Sequence, residues 1–262
     1  LIPIINEILK FNSIDTMEDG DIFIMNDPYL GGTHLPDIAV IMPIFNKNKL
    51  VGLSATMAHH QDVGGMTPGS VPTNATEIFQ EGIRIPPLKL ASAGKVDENL
   101  IRLIKLNVRL PEIFMGDINA QIAACNVGRR RLIELCQKYD SHFILQIFEN
   151  LLDRSEQMTR EALKKFPSGK YQYTDYLDND GIKLDERIKI SVEAIIDEGQ
   201  ITFDFNKTSK EVKGPFNCVP SGSLSAACFA LRVLTGSDIP TNGGCFRPLN
   251  LILPKGSIVN PN

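Results

Sequence analysis

At 262 residues, with 43% hydrophobic and 22% charged side chains, the chain has the size and composition of an ordinary globular protein with a large core. A formal net charge of -4 gives no electrostatic footprint for nucleic acid or an anionic membrane surface. No apolar run approaches the ~20 residues that cross a bilayer, and the opening LIPIINEILKFN lacks the basic start and small-residue cleavage site of a secretory signal.

In chain order, Ile4, Ile5, Ile8 and Leu9 recur at helical spacing. Asp19-Gly20 turns into a strand over Asp21–Met25, and NDPYLGGTHLPD follows as a loop stiffened by Pro28 and Pro36 and turned sharply at Gly31 and Gly32. Two apolar, β-rich runs, Ile38–Phe45 and Leu50–Met57, flank Asn46-Lys47-Asn48-Lys49 and predict a β-hairpin. Phe45 should then lie near Leu50, and Pro36 and Asp37 near Ala58 and His59. The next loop, VGGMTPGSVPTNAT, could present backbone N–H groups to an oxyanion. It has neither the lysine of a P-loop nor a dinucleotide fingerprint. Glu77, Glu81 and Arg84 follow within reach of the hairpin end or on a solvated edge.

From Asp97 the pattern turns helical through Leu100, Ile101 and Ile104. Pro111 interrupts, and Asp117 caps a helix that turns Ile118, Ile122, Cys125, Leu132, Leu135 and Cys136 inward. Asp140-Ser141 starts a second helix, which ends at Phe166-Pro167-Ser168-Gly169. The basic run Arg129-Arg130-Arg131 reads as a solvated helix face. Beyond Gly169 the period becomes two: Ile188–Ile196 alternates, Asp197-Glu198-Gly199 turns, and Ile201–Phe205 alternates back. A small-residue helix over Ser221–Leu234 and a strand over Leu249–Leu253 complete an α+β fold. It comprises a hairpin and sheet region, a helical pair, then a β-meander with one further helix. A subdomain boundary is expected near Ser168, giving residues 1–168 and 169–262. The five cysteines, odd in number and without zinc-site pairing, read as reduced thiols of a cytoplasmic protein.

The chemistry-bearing residues gather at the open end of the hairpin, where three of the four histidines lie near Asp37 and Asp62. Neutral imidazoles with a carboxylate suit zinc, manganese or ferrous iron better than magnesium or calcium. The preferred set is His34, His59 and Asp62, since two histidines and one carboxylate leave positions for water and substrate. His60 and Asp37 are then candidates for proton transfer. The same residues taken singly also read as hydrogen-bonded groups at strand ends and turns.

The motifs GDIFIMNDPYLGGTHLPD, HHQDVGGMTPGS, IFQEGIRIPP, PEIFMGDINAQIAACNVGRRRLIEL, KGPFNCVPSGS and GGCFRPLNLILPKGSIVNP together resemble the hydantoinase B/oxoprolinase family. The resemblance covers nearly the whole chain. Family members are normally much longer, so it implies an internal piece of a larger protein. It further implies a catalytic subunit that opens a cyclic amide such as hydantoin, oxoproline or another lactam, a step that the metal site read from the residues would suit, making the subunit metal-dependent. ATP would be used by a hydantoinase A-type partner that phosphorylates the substrate, which agrees with the missing P-loop. Related ketone carboxylases form a carbon–carbon bond instead, and the donor set also describes a non-haem iron oxygenase. A non-catalytic scaffold role is the remaining alternative.

Overall fold

The computed structural model describes residues 1–262, which divide into two compact units, Leu1–Ile144 and Leu145–Asn262. In the first unit, helix α1 (Ile2–Phe11) precedes strands β1 (Ile22–Met25), β2 (Asp37–Asn46), β3 (Lys49–His59), β4 (Leu88–Ser92) and β5 (Lys95–Val96), then helices α2 (Glu98–Asn107) and α3 (Pro111–Tyr139). The strands form one antiparallel sheet in the order β3-β2-β1-β4-β5.

Strands β1 and β2 read as unbroken apolar runs because both of their faces are buried. Ile24, Ile38, Val40 and Met42 pack with Ile104 of α2 and with Phe114, Ile118 and Cys125 of α3. The alternate residues Phe23, Met25, Ala39 and Ile41 pack with Ile4 and Ile8 of α1. Period-two alternation between two apolar layers leaves no polar face to interrupt the run. Beside α1, Gly31 has φ +97°, and a Cβ there would stand 2.8 Å from the Pro3 carbonyl carbon, so only glycine closes this corner.

Helix α3 begins earlier than its sequence suggests. Pro111 occupies its first turn rather than interrupting it, because a proline there lacks only an N–H that has no helical partner. Asp117 therefore lies within the helix and caps nothing. Arg129 pairs with Asp19 at 2.7 Å and Arg131 with Glu134 at 2.9 Å, as suits a charged outer face.

Helix α4 (Ser141–Leu163) spans the division between the units in its first turn and belongs mostly to the second. Its later residues make that allegiance. Leu163 enters the core of the second unit, Ser155 accepts from Asn242 at 2.8 Å, and Asp153 pairs with Arg247 at 2.7 Å. The division thus falls inside α4, between Ile144 and Leu145, whereas the sequence reading expected a boundary near Ser168. Strands β6 (Gly169–Leu177), β7 (Ile188–Asp197) and β8 (Gln200–Asp204) form the antiparallel meander. Helix α5 (Pro220–Thr235) then returns the chain so that β9 (Leu249–Ile252) adds in parallel to β8. Ala227 and Leu231 of α5 cover Ile196, Ile201 and Phe203 of the sheet. The five cysteines are free, and no helix is long and apolar enough to cross a membrane.

Candidate metal centre

Strands β2 and β3 turn over Lys47 and Asn48, whose φ angles of 50° and 62° give the left-handed pair that matches the twist of a two-residue hairpin. Phe45 pairs with Leu50, as the sequence indicated, but Ile44 pairs with Gly52 and leaves Val51 as a bulge. An unbroken ladder from Phe45–Leu50 would set Asp37 opposite Ala58. The bulge advances every later pair by one, so Asp37 faces His59 directly.

His34 joins them through a turn in which the Asp37 N–H donates to the His34 carbonyl at 3.0 Å. Within that turn Leu35 is fully buried, and its carbonyl accepts from Asn26 Nδ2 at 2.8 Å, which anchors the loop. Asp37 Oδ2 lies 2.8 Å from His34 Nδ1, and Oδ1 lies 3.2 Å from His59 Nδ1. The Thr33 hydroxyl also donates to Oδ2. The two imidazoles stack with centroids 4.9 Å apart and planes 28° from parallel. Burial would push the Asp37 carboxyl up, but hydrogen bonds from His34, Thr33 and His59 outweigh it and hold the group below the usual carboxylate range.

One donor atom from each of His34, Asp37 and His59 lies within 4.8 Å of the others. Two imidazole nitrogens and one carboxylate oxygen are a borderline donor set, and the half-exposed position leaves room for water and substrate. These three residues fit a zinc, manganese or ferrous cation.

Neither His60 nor Asp62 is brought to this group. The His60 residue is 1% exposed, its ring meets Phe114 at a 47° tilt with centroids 4.6 Å apart, and its Nε2 lies 2.9 Å from Gln121 Oε1. Burial lowers the basicity of the ring, opposed in part by the Gln121 hydrogen bond and by Asp117. Asp62 is buried in its own loop. It accepts from the N–H groups of Gly64, Gly69 and Arg109 at 2.9, 3.0 and 3.1 Å and from the Arg109 guanidinium at 3.0 Å. The place expected for Asp62 beside His34 and His59 is held by Asp37.

The glycine-rich loop is likewise turned inward. Besides Gly64 and Gly69, the N–H of Val63 donates to Ser70 Oγ, that of Met66 to the Gln80 carbonyl and that of Ser70 to the Thr67 carbonyl. Arg109 gathers the carbonyls of Gly64, Gly65 and Thr67. These amides stabilise the loop and are not offered to an anion.

Thr33, Glu81 and Gln121 complete the surroundings. Burial raises the Glu81 carboxyl above the ordinary range, with the His34 imidazole opposing the shift. Arg84 is turned toward Asp27, 2.8 Å away. Gln121 comes from α3, far along the chain, and its signal in the sequence is a polar side chain within the buried stripe Phe114, Ile118, Gln121, Cys125.

Over residues 3–262 the sequence matches the family profile described as Hydantoinase B/oxoprolinase. The chain belongs to the hydantoinase B/oxoprolinase family. A relative from Pseudomonas sp. (strain NS671), provisionally named as the B-type component of a D-/L-hydantoinase, is 36% identical over 270 residues, covering 98% of this chain and 45% of that protein. The crystal structure of ATP-dependent caprolactamase from Pseudomonas jessenii matches with a TM-score of 0.92 at 30% identity, over 100% of this chain and 45% of that one. Nucleotide-free acetone carboxylase matches with a TM-score of 0.90 at 22% identity, over 99% of this chain and 36% of that one, a likeness of fold alone. This hydantoinase B/oxoprolinase chain therefore spans less than half the length of these relatives, and the α+β class read from its sequence is the one it adopts.

Proposed function

We propose that this chain carries the cation site of an ATP-dependent cyclic amide hydrolase. The observation that carries the reading is the convergence of His34, Asp37 and His59 in a chain that belongs to this family. Likeness to a caprolactamase along the whole chain favours a lactam or related cyclic amide as substrate. His34 and His59 would hold the cation together with Asp37, whose carboxyl is held below the usual carboxylate range by its hydrogen bonds. When bound, a divalent cation supplies Lewis acidity toward a carbonyl oxygen and lowers the pKa of water from 15.7 toward about 7. Thr33 fixes the rotamer of Asp37. Glu81, whose carboxyl is raised by burial and which interacts electrostatically with His34, would be a candidate to deliver a proton to the departing amine. ATP is assigned to a hydantoinase A-type partner.

The test combines the full protein with that partner, ATP and a panel of hydantoin, 5-oxoproline, caprolactam and a ketone with bicarbonate. Ring-opened acid and ADP should form together, and only with both proteins and the cation present. His59→Ala should abolish the acid at unchanged protein level. Lactam opening by this chain alone with ATP would sink the division of labour, and opening that survives His59→Ala would sink the site.

A further inference from the structure

His59 and His60 are consecutive at the end of β3, and the alternation of a strand turns one ring toward the ligand cluster and the other into the protein. The His60 N–H donates to the Pro36 carbonyl at 2.8 Å, which extends the pairing of the two strand ends past Asp37 and His59. Beneath them lies Gln121 of α3, 5% exposed. Its Nε2 donates to the Ile38 carbonyl at 2.9 Å and its Oε1 lies 2.9 Å from His60 Nε2. The orientation is forced: a carbonyl can only accept, so the amide NH2 faces Ile38, the amide oxygen faces His60, and His60 donates from Nε2.

One side chain therefore grips the residue after Asp37 and the residue after His59. We propose that Gln121 is a positioning residue for the cation site, fixing the spacing of Asp37 and His59 from behind, so that metal affinity depends on a residue that touches no metal. The proposal rests on the reading of His34, Asp37 and His59 as the ligands. Packing alone does not call for this pair. A leucine and a phenylalanine would fill similar volume, whereas His60 is buried with Nδ1 unpartnered, an unfavourable state that an apolar ring would avoid. What the amide adds is geometry, since its two ends hold the Ile38 backbone and the His60 ring at once. Hydrogen bonds placed behind metal ligands typically govern affinity by about 10–100-fold.

A control is built into the same helix. Cys125 lies one turn further along α3, is fully buried, and meets the hairpin away from its ligand end, with Sγ 3.5 Å from the Val40 carbonyl and 3.6 Å from that of Ser54. The experiment titrates the full chain with Zn2+ alone and Mn2+ alone against a competing chelator, and records the unfolding midpoint in excess chelator. Gln121→Leu should weaken binding at least about tenfold. Cys125→Ala should lower the unfolding midpoint yet keep the dissociation constant within about twofold. Gln121→Glu offers His60 an acceptor but gives Ile38 no donor, so it too should lose affinity, and it carries the comparison should Gln121→Leu fail to fold. Wild-type affinity in both Gln121 variants alongside lost binding in His59→Ala overturns the positioning role and leaves the site standing. Equal losses in Gln121→Leu and Cys125→Ala overturn it in favour of general loosening. Undiminished binding in His59→Ala overturns the cation reading, and the positioning role with it.

Discussion

Both oxygens of Asp62 are occupied by N–H donors from its own loop and from Arg109. Burial would raise this carboxyl, and those donors outweigh it and hold it below the ordinary range. A folded-state value below the unfolded one means that the ionised group stabilises the fold at any pH above about 3.9, and that this contribution fades as pH falls toward the depressed value. Asp62→Asn should therefore destabilise by about 2–3 kcal/mol at pH 7, toward the lower end for a broken buried pair because Arg109 is partly exposed. Urea unfolding from pH 7 to pH 3 should show the gap between wild type and variant constant at first and closing below about pH 4. A gap that stays constant throughout would contradict this role. Asp37 and Asp62 look alike in sequence, since His34-Leu35-Pro36-Asp37 and His59-His60-Gln61-Asp62 share one spacing. What separates them is long-range. Asp37 faces His59 across a ladder, while Asp62 faces Arg109 from the segment after α2. Nothing local to either tetrapeptide records that.

At the level of elements, the Val51 bulge sets which residue meets Asp37. Deleting Val51 would heal the ladder while keeping Ile44 opposite Gly52 and Asp37 opposite His59. It should cost about 1–3 kcal/mol, for a buried valine, and leave metal binding intact. Inserting one alanine after Ala55 should instead bring Ala58 opposite Asp37, turn His59 to the other face and abolish binding. Metal titration of the two variants distinguishes them, and equal binding in both would show that register does not build the site. Hairpin, helices and meander were legible because each carries its own period. The start of α3 was not, because Pro111 both ends and begins helices. The parallel addition of β9 depends on where α5 returns the chain, which no strand pattern encodes.

At the scale of the molecule, each unit has its own sheet and core, and His34, Asp37, His59, Glu81 and Gln121 all belong to the first. The long helix α4 looks like a partner of α3 in sequence, yet Leu163, Asp153 and Ser155 tie it to the second unit. Allegiance of that kind is decided by tertiary contacts with Asn242 and Arg247, far along the chain. Which aspartate completes the histidine pair decides where the cation would sit. The most direct measurement is the metal content and zinc or manganese affinity of Asp37→Asn beside Asp62→Asn at neutral pH. Asp37→Asn should lose stoichiometric metal while remaining folded, and Asp62→Asn should retain it despite lower stability. Retention by Asp37→Asn together with loss by Asp62→Asn would contradict the site described.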